Sequence, residues 1–333
     1  MPVTSVAFAL LALGQGYGLP SVPIPPTEAS AALGECAPDA ERYFRLSIGR
    51  SFGRCVFATL DQRDPTGAGR IRAEMVRDTR GRMRSAIVAP AALAGNAILD
   101  DGKRMSVLVD REKLVMVQDS PALTEGDPEA RVGLVRKNYR LSVAPGPRAF
   151  GRATVILDAR ARWNGIDSRR YRLDAATGYP LRHDVVSEAG TENLFDTVAL
   201  RFADRAPRGT FRPFSRGGRQ VVEYASVAAL KPGEARTRAG FEPAVPRELP
   251  FGFRVSTIGI NDAPGWRSVV VRASDGLVKA SVYEWMSNTA DASLGDGQGR
   301  SVGRRGGRTV MVVSDGSTLV RARLLDAVLD TIR

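Results

Sequence analysis

Residues 151–190 read GRATVILDARARWNGIDSRRYRLDAATGYPLRHDVVSEAG, and this stretch gives the clearest indication of the fold. Apolar or aromatic residues occupy alternate positions over 153–158 and again over 170–174, which is the period of a half-buried strand. The turn signal Asn164-Gly165 lies between these two runs. The pattern therefore predicts antiparallel strands joined in a meander.

The turn that follows is equally well specified by its residue types. In residues 174–180, DAATGYP, Asp174 can accept backbone hydrogen bonds and Gly178 can adopt a positive φ. Pro180 can only open the next strand or lie at a sheet edge. None of these features provides a reaction centre. We therefore expect the stretch to form one wall of a binding cavity.

Length and charge divide the chain into two parts. With 333 residues the protein exceeds the usual size of one core, so we expect two domains. The net charge is +12, of which +4 falls up to residue 204 (28 basic and 24 acidic residues) and +8 after it (20 basic and 12 acidic). The second part should therefore prefer anionic partners.

The N-terminal residues resemble an export signal. An apolar run at residues 6–13 precedes a Pro-rich stretch, and the run is too short to span a bilayer. We therefore expect residues 1–31 to be a signal peptide with its Pro-rich segment, although a disordered tail is the alternative. In an oxidising compartment Cys36 and Cys55 could form a disulfide, whereas the alternative is two buried free thiols.

Turn signals divide the rest of the chain into a strand-rich first domain and a smaller second one. We expect the first domain at 37–204, a linker at 205–220 and an α+β domain at 221–333. A helix at 128–138 is predicted to lie across the first sheet. Residues 291–307 are predicted to be a flexible Gly-rich loop, and Asp275-Gly276 a two-residue hairpin turn.

Four methionines, Met75, Met83, Met105 and Met116, fall on separate predicted strands of the first domain. Flexible thioether side chains suit an adaptable apolar surface, so these residues and Phe57 are candidates for binding a lipid-like ligand. Ordinary core filling is the alternative explanation.

Catalytic and metal chemistry find little support in the sequence. Residues 299–303 spell G-x-S-x-G, but they lack the strand before and the helix after that a nucleophile elbow needs. The single histidine, His183, precedes this serine and alternates with Leu181 and Val185 as a strand residue. There is no P-loop and no metal-ligand cluster, so we expect a non-enzyme without cofactor or metal.

Nucleic-acid binding is a further possibility that the basic charge raises. It would need aromatic residues among the arginines, for which Phe211 and Phe214 in the expected linker are the best candidates. This pattern is weak, and we expect no nucleic-acid partner.

The sequence also resembles known families. Residues 98–103 (ILDDGK), 137–139 (KNY), 151–153 (GRA) and 171–182 (YRLDAATGYPLR) are similar in order and spacing to the lipoprotein-carrier fold of LolA and LolB. Residues 249–253 (LPFGF) and 274–283 (SDGLVKASVY) resemble the C-terminal domain of the MucB/RseB family of sigma-E regulatory proteins.

The resemblance implies an α+β protein in which a curved antiparallel half-barrel covered by helices is followed by a smaller α+β domain. It also implies a periplasmic protein that senses a lipid or acylated ligand and binds the extracytoplasmic part of an anti-sigma factor in envelope stress signalling. Arg304 and Arg305 are candidate partner-binding residues in the second domain. The alternative is a periplasmic lipid or lipoprotein carrier of LolA type.

Overall fold

The computed structural model describes residues 38–64, 69–120, 122, 128–223, 230–263, 266–287, 295–297 and 299–332. These residues form two compact units. The first contains the described residues up to 120, Tyr139–Arg162 and Asp167–Val222. The second contains residues 128–138, Trp163–Ile166 and the described chain from Glu223 onward.

The first unit is an open, curved sheet of twelve strands with the helix α1 (Pro38–Ile48). The spatial order of its strands is β12-β6-β5-β4-β3-β2-β1-β11-β10-β9-β8-β7, and each pairing from β6 to β7 is antiparallel. The strands are β1 (Cys55–Arg63), β2 (Arg70–Arg77), β3 (Met83–Ala89), β4 (Ala97–Asp100), β5 (Arg104–Val109), β6 (Leu114–Asp119), β7 (Tyr139–Ala149), β8 (Arg152–Ala161), β9 (Ser168–Asp174), β10 (Pro180–Ser187), β11 (Gly190–Ala203) and β12 (Gln220–Glu223). The predicted meander is therefore confirmed as β8, β9 and β10.

The second unit is α+β, as the sequence predicts. Its antiparallel sheet has the order β13-β14-β15-β17-β16. Its elements are α2 (Pro128–Asn138), α3 (Pro232–Ala239), a short 3-10 turn (Pro250–Gly252), β13 (Arg254–Ala263), β14 (Trp266–Ser274), β15 (Lys279–Met286), β16 (Arg300–Arg305), β17 (Arg308–Ser314) and α4 (Thr318–Leu329). The Ser317 hydroxyl accepts a hydrogen bond from Val320 N and so caps the start of α4.

The helix α2 forms at the predicted residues and groups with the second unit, whereas the sequence predicts it as part of the first domain. Arg131 Nε donates a hydrogen bond to the carbonyl of Gly276 at 2.9 Å. A Cβ on Gly276 would lie 2.6 Å from Val135 Cγ2, so the helix rests directly on this loop. Periodicity indicates that a helix has a face to bury, but it does not identify the surface that buries it.

The segment expected to be a linker, residues 205–220, groups with the first unit. Arg84 Nη1 donates to the carbonyl of Thr210, and the guanidinium carbons of Arg82 and Arg84 lie 4.6 and 5.3 Å from the ring centres of Phe211 and Phe214. Both aromatic rings thus contact arginines of β3 and the turn before it. These contacts join residues that are far apart in the sequence, so the Pro- and Gly-rich composition of the segment does not indicate them.

Two further local predictions were wrong. Residues 300–305 form β16, which pairs with β17 through Gly306-Gly307, where both glycines have positive φ. The Gly-Gly pair was the missed hairpin signal. The loop between β14 and β15 has four residues instead of two, because Asp275 Oδ1 accepts hydrogen bonds from both Leu277 N and Val278 N and stabilises the longer turn.

The helix α3 was not predicted because only Ala235 among its residues is buried, which leaves no apolar periodicity. Its local signals were nevertheless present. Pro232 begins the helix, the Glu234 carboxylate accepts a hydrogen bond from Lys231 N, and Gly240 ends it with φ 80°.

Candidate ligand-binding face of the first sheet

The four candidate methionines lie on one face of the first sheet, which we call the methionine face. Met75 and Met116 belong to a row of directly paired residues that runs Ala58, Met75, Ser85, Ile98, Val107, Met116. Met83 and Met105 belong to the next row, which runs Val56, Arg77, Met83, Asp100, Met105, Gln118. Paired residues point to the same side, and so do residues two apart, so both rows share the face.

Each methionine is 6% exposed or less, so all four thioethers lie inside the first unit. The structure brings them together across β2, β3, β5 and β6, although they are far apart in sequence. It does not bring Phe57 to them. Phe57 pairs with Val76 and points to the opposite face, where the Arg201 guanidinium carbon lies 4.0 Å from its ring centre. The inclusion of Phe57 in this surface was wrong, because a shift of one residue reverses the face of a strand side chain.

Aromatic rings extend the methionine face onto β9, β10 and β11. The ring of His183 stacks on Tyr171 with 4.3 Å between centroids and meets Phe195 edge to face at 6.4 Å. His183 is 6% exposed, and its Nε2 has no hydrogen-bond partner among the described residues. Burial, together with the positive charge of Arg169, lowers the pKa of His183 well below its usual value. This histidine is therefore a buried structural residue and is neutral at pH 7.

The opposite face of the same strands is charged. Arg182 Nε lies 2.8 Å from Asp184 Oδ2, and Arg172 Nη2 lies 3.3 Å from Asp196 Oδ1. Because these ion pairs alternate along the strands with the buried apolar residues, an apolar ligand has one suitable side of the sheet, the methionine face.

Phe52 joins the methionine face to the turn that precedes β10. The Tyr179 ring meets the Phe52 ring edge to face at 5.1 Å, and the Arg77 guanidinium carbon lies 5.8 Å from the centre of the same Phe52 ring. Arg77 Nη2 also contacts the Met83 sulfur at 3.5 Å. The Arg77 guanidinium and the Tyr179 phenol therefore lie at a face that is otherwise mainly apolar.

The helix α1 and the turn at 174–179 fix the position of Tyr179. Asp174 Oδ1 accepts hydrogen bonds from Thr177 N at 2.9 Å and from Arg152 Nη2 at 3.1 Å. Gly178 has φ +71°, and an added Cβ would lie 2.3 Å from Leu46 Cβ of α1. Burial opposes the charged form of Asp174, but the hydrogen bonds from Arg152 and Thr177 outweigh it and lower the pKa of this carboxyl.

The predicted partner-binding arginines lie on β16 in the second unit. Arg304 and Arg305 are both exposed, and Arg305 Nη1 lies 2.8 Å from Asp330 Oδ1. Gly303 lies against α4, since an added Cβ would be 2.7 Å from Leu329 Cδ1. Ser301 of the G-x-S-x-G sequence is 4% exposed and pairs with Val312 inside the strand, which is not the position of a nucleophile elbow.

Cys55 is buried, and its sulfur lies 3.8 Å from the carbonyl oxygen of Asp204. Cys36 and the expected signal segment, residues 1–31, lie outside the described residues, so the disulfide and the signal stay predictions. Among the described residues, no group of three or more His, Cys, Asp or Glu side chains could hold a metal ion. No helix in the described part of the chain has the length and apolar composition that a membrane span needs.

Comparison with solved structures gives full-length similarity to MucB. The crystal structure of MucB is 18% identical in sequence, with a TM-score of 0.59, and the match covers 88% of this chain and 98% of MucB. Two complexes, Pseudomonas aeruginosa MucA/MucB and MucB with MucA(peri), each match at 16% identity with a TM-score of 0.54. Each match covers 86% of this chain and 97% of the matched chain.

No protein-family model matches the chain, and no curated protein matches it. The similarity is therefore one of fold, and it extends through both units. The chain has the fold of the MucB/RseB family.

Proposed function

We propose that this protein is an exported regulator that binds the extracytoplasmic part of an anti-sigma factor. The observation that carries the proposal is that the match to MucB includes both units, covering 88% of this chain, and that the MucA/MucB complexes match over 86% of it. A carrier needs only the first unit, so the second unit favours a regulator. The proposed function is binding, without a catalytic step, a cofactor or a metal.

The distribution of charge along the chain supports an acidic binding partner. The part of the chain after residue 204 carries +8 of the net +12, and Arg304 and Arg305 are exposed on β16. A positive surface speeds association with an acidic partner, more strongly at low salt than at high salt. The partner segment should therefore have an acidic surface.

The methionine face supports a lipid-sensing part of the proposal. Four flexible thioether side chains are buried together on one side of the sheet, which suits an acyl chain of variable shape. A ligand changes partner binding only if it has different affinities for the free and partner-bound proteins. In the proposed mechanism, an acylated ligand binds more tightly to the protein that has released its partner.

The first experiment measures binding of the full chain to the extracytoplasmic segment of a single-span anti-sigma factor encoded beside its gene. We expect binding whose association rate falls as salt rises. The double charge reversal Arg304→Glu with Arg305→Glu should lower that rate by about tenfold at low salt. Absence of binding at any salt concentration rejects the regulatory function.

The matched control is Arg236→Glu with Arg238→Glu. These arginines are exposed on α3 in the same unit, and Arg236 forms an exposed ion pair with Glu242 at 3.4 Å, comparable to the pair of Arg305 with Asp330. The control makes the same change in net charge at a different place. If both double variants slow association equally, net charge steers the partner and Arg304 and Arg305 are not its binding residues.

The second experiment repeats the binding measurement with a lipidated peptide and with the same peptide unmodified. The proposed mechanism predicts weaker partner binding only with the lipidated form. Unchanged partner affinity contradicts lipid sensing, and a protein that binds the lipidated peptide but no partner is a carrier of LolA type.

A further inference from the structure

Three polar groups on the methionine face have hydrogen-bonding atoms without partners. Arg77 Nε, the Tyr179 hydroxyl and the Thr197 hydroxyl are buried, and none has a hydrogen-bond partner among the described residues. Tyr179 is 2% exposed and Thr197 is 3% exposed. Buried polar atoms are nearly always paired in folded proteins, so three unpaired atoms in one region require an explanation.

The three groups lie close to one another. Arg77 and Tyr179 contact the same Phe52 ring. The Tyr179 hydroxyl interacts with the Thr197 hydroxyl, although neither has a hydrogen bond of ordinary length and angle. Burial raises the pKa of Tyr179, and the nearby charge of Arg77 and the Thr197 hydroxyl oppose that rise only in part, so the phenol is protonated at pH 7 and can donate a hydrogen bond.

The charge of Arg77 is also uncompensated. In the described part of the chain Arg77 forms no ion pair, and its Nη2 contacts only the weak acceptor Met83 Sδ. Asp100 is the carboxylate in the same row of paired strand residues, but it already has other partners. Its Oδ2 lies 2.7 Å from Arg50 Nη2, and its Oδ1 accepts a hydrogen bond from Gly102 N. One cation and two hydroxyl donors therefore face the apolar surface together.

We propose that Arg77, Tyr179 and Thr197 form a subsite for the carboxylate of a long-chain fatty acid, whose chain packs on the methionine face. All three groups can donate hydrogen bonds, and a carboxylate accepts several at once. Its single negative charge matches the single guanidinium, whereas a phosphate monoester would place a further negative charge beside buried apolar residues. The inference rests on the proposed function, of which it specifies the ligand chemistry.

The test is a titration of the full chain with cis-parinaric acid, a fluorescent C18 fatty acid, and with its methyl ester. The ester retains the chain and removes the charge. We expect the acid to bind at least about tenfold more tightly than the ester, since hydrogen bonds to a charged group contribute more than neutral ones. Equal affinity for acid and ester overturns the proposal.

Substitutions test which residues cause the preference for the acid over the ester. Arg77→Met should remove the preference for the acid while leaving ester binding unchanged. Tyr179→Phe and Thr197→Val should each reduce acid affinity several-fold, by about the loss of one hydrogen bond to a charged group. The matched control is Arg72→Met, because Arg72 is exposed on the same strand with its side chain on the opposite face. A loss of preference in Arg72→Met equal to that in Arg77→Met contradicts the assignment.

Unliganded stability distinguishes a subsite from a structural role. Tyr179→Phe removes a buried hydroxyl whose contact with the Thr197 hydroxyl lacks ordinary hydrogen-bond geometry, so its melting temperature without ligand should be unchanged or higher. A clear fall in melting temperature would show that the hydroxyl stabilises the fold. This measurement and the comparison of acid with ester in the unmodified protein keep the proposal testable if Arg77→Met does not fold.

Two competing probes separate the possible ligand sources. Hexadecyl phosphate that displaces cis-parinaric acid more effectively than palmitate contradicts the choice of carboxylate. Displacement by inorganic phosphate alone shows a simple anion site and also overturns the proposal. Partner binding by the unmodified protein is measured without ligand in a separate experiment, so a failed subsite is distinguishable from a failed regulatory function.

Discussion

The side-chain amide of Asn138 donates a hydrogen bond of 2.9 Å to the carbonyl oxygen of Asp275, 137 residues later in the chain. The same amide nitrogen contacts the carbonyl oxygen of Gly252 at 3.3 Å, and its oxygen accepts a hydrogen bond from the Trp163 indole at 3.1 Å. Asn138 is 1% exposed. One side chain therefore connects four segments of the second unit.

Asn138→Ala should destabilise the second unit by about 3 kcal/mol, because it leaves two carbonyls and an indole without their buried partner. Hydrogen exchange of amides in β14 and β15 would measure the loss. Lys137→Ala is the control, since Lys137 is exposed at the preceding position. Equal protection in both variants would show that the Asn138 hydrogen bonds contribute little.

Gly178→Ala should cost more stability than Gly151→Ala. The two glycines have nearly the same φ, +71° and +72°, so both substitutions incur similar backbone strain of about 1 kcal/mol. An added Cβ meets nothing within 4 Å at Gly151 but lies 2.3 Å from Leu46 Cβ at Gly178. Overpacking should add about 2 kcal/mol at Gly178. Chemical unfolding measures the difference, and equal costs would mean that α1 moves freely away from the turn.

Stability should fall between pH 7 and pH 5 because of His183. Its pKa in the folded protein is depressed, so the unfolded chain binds a proton below its ordinary pKa of about 6.5 while the folded protein does not. The free energy of unfolding should therefore fall by about 2 kcal/mol over this range from this group alone.

His183→Phe should lose that part of the pH dependence while retaining an aromatic ring against Tyr171 and Phe195. His183 is the only histidine in the sequence, which makes the comparison direct. Unfolding midpoints at pH 7, 6 and 5 would test the expectation. Parallel curves for both proteins would show that His183 titrates alike in the folded and unfolded states.

Met105→Ala should destabilise the first unit by about 3 kcal/mol, since Met105 is 1% exposed and truncation leaves a cavity. Met286→Ala is the control, because Met286 is 56% exposed and should change stability by less than about 0.5 kcal/mol. Thermal unfolding of both variants measures the contrast. A negligible effect of Met105→Ala would mean that this part of the methionine face is loosely packed.

Much of the architecture follows from local signals in the chain. Alternation and turn residues predict β8, β9 and β10, and Pro180 opens its strand as its missing N–H requires. The helix α2 forms at the residues where the sequence predicts a helix. The helix α3 and strand β16 were missed because their residues are mainly polar and provide no periodic apolar signal, although Pro232, Gly240 and Gly306-Gly307 mark their ends.

Local sequence patterns specify most of the strands and helices, because backbone preference and the alternation of apolar residues act over a few neighbours. The sequence also provides four methionines suited to an apolar surface. Local patterns do not show that these methionines share one face, that Phe57 lies on the other, or that Arg77, Tyr179 and Thr197 converge beside Phe52. Strand order and register decide such contacts, since a shift of one residue reverses every side chain and distant strands become neighbours only after folding.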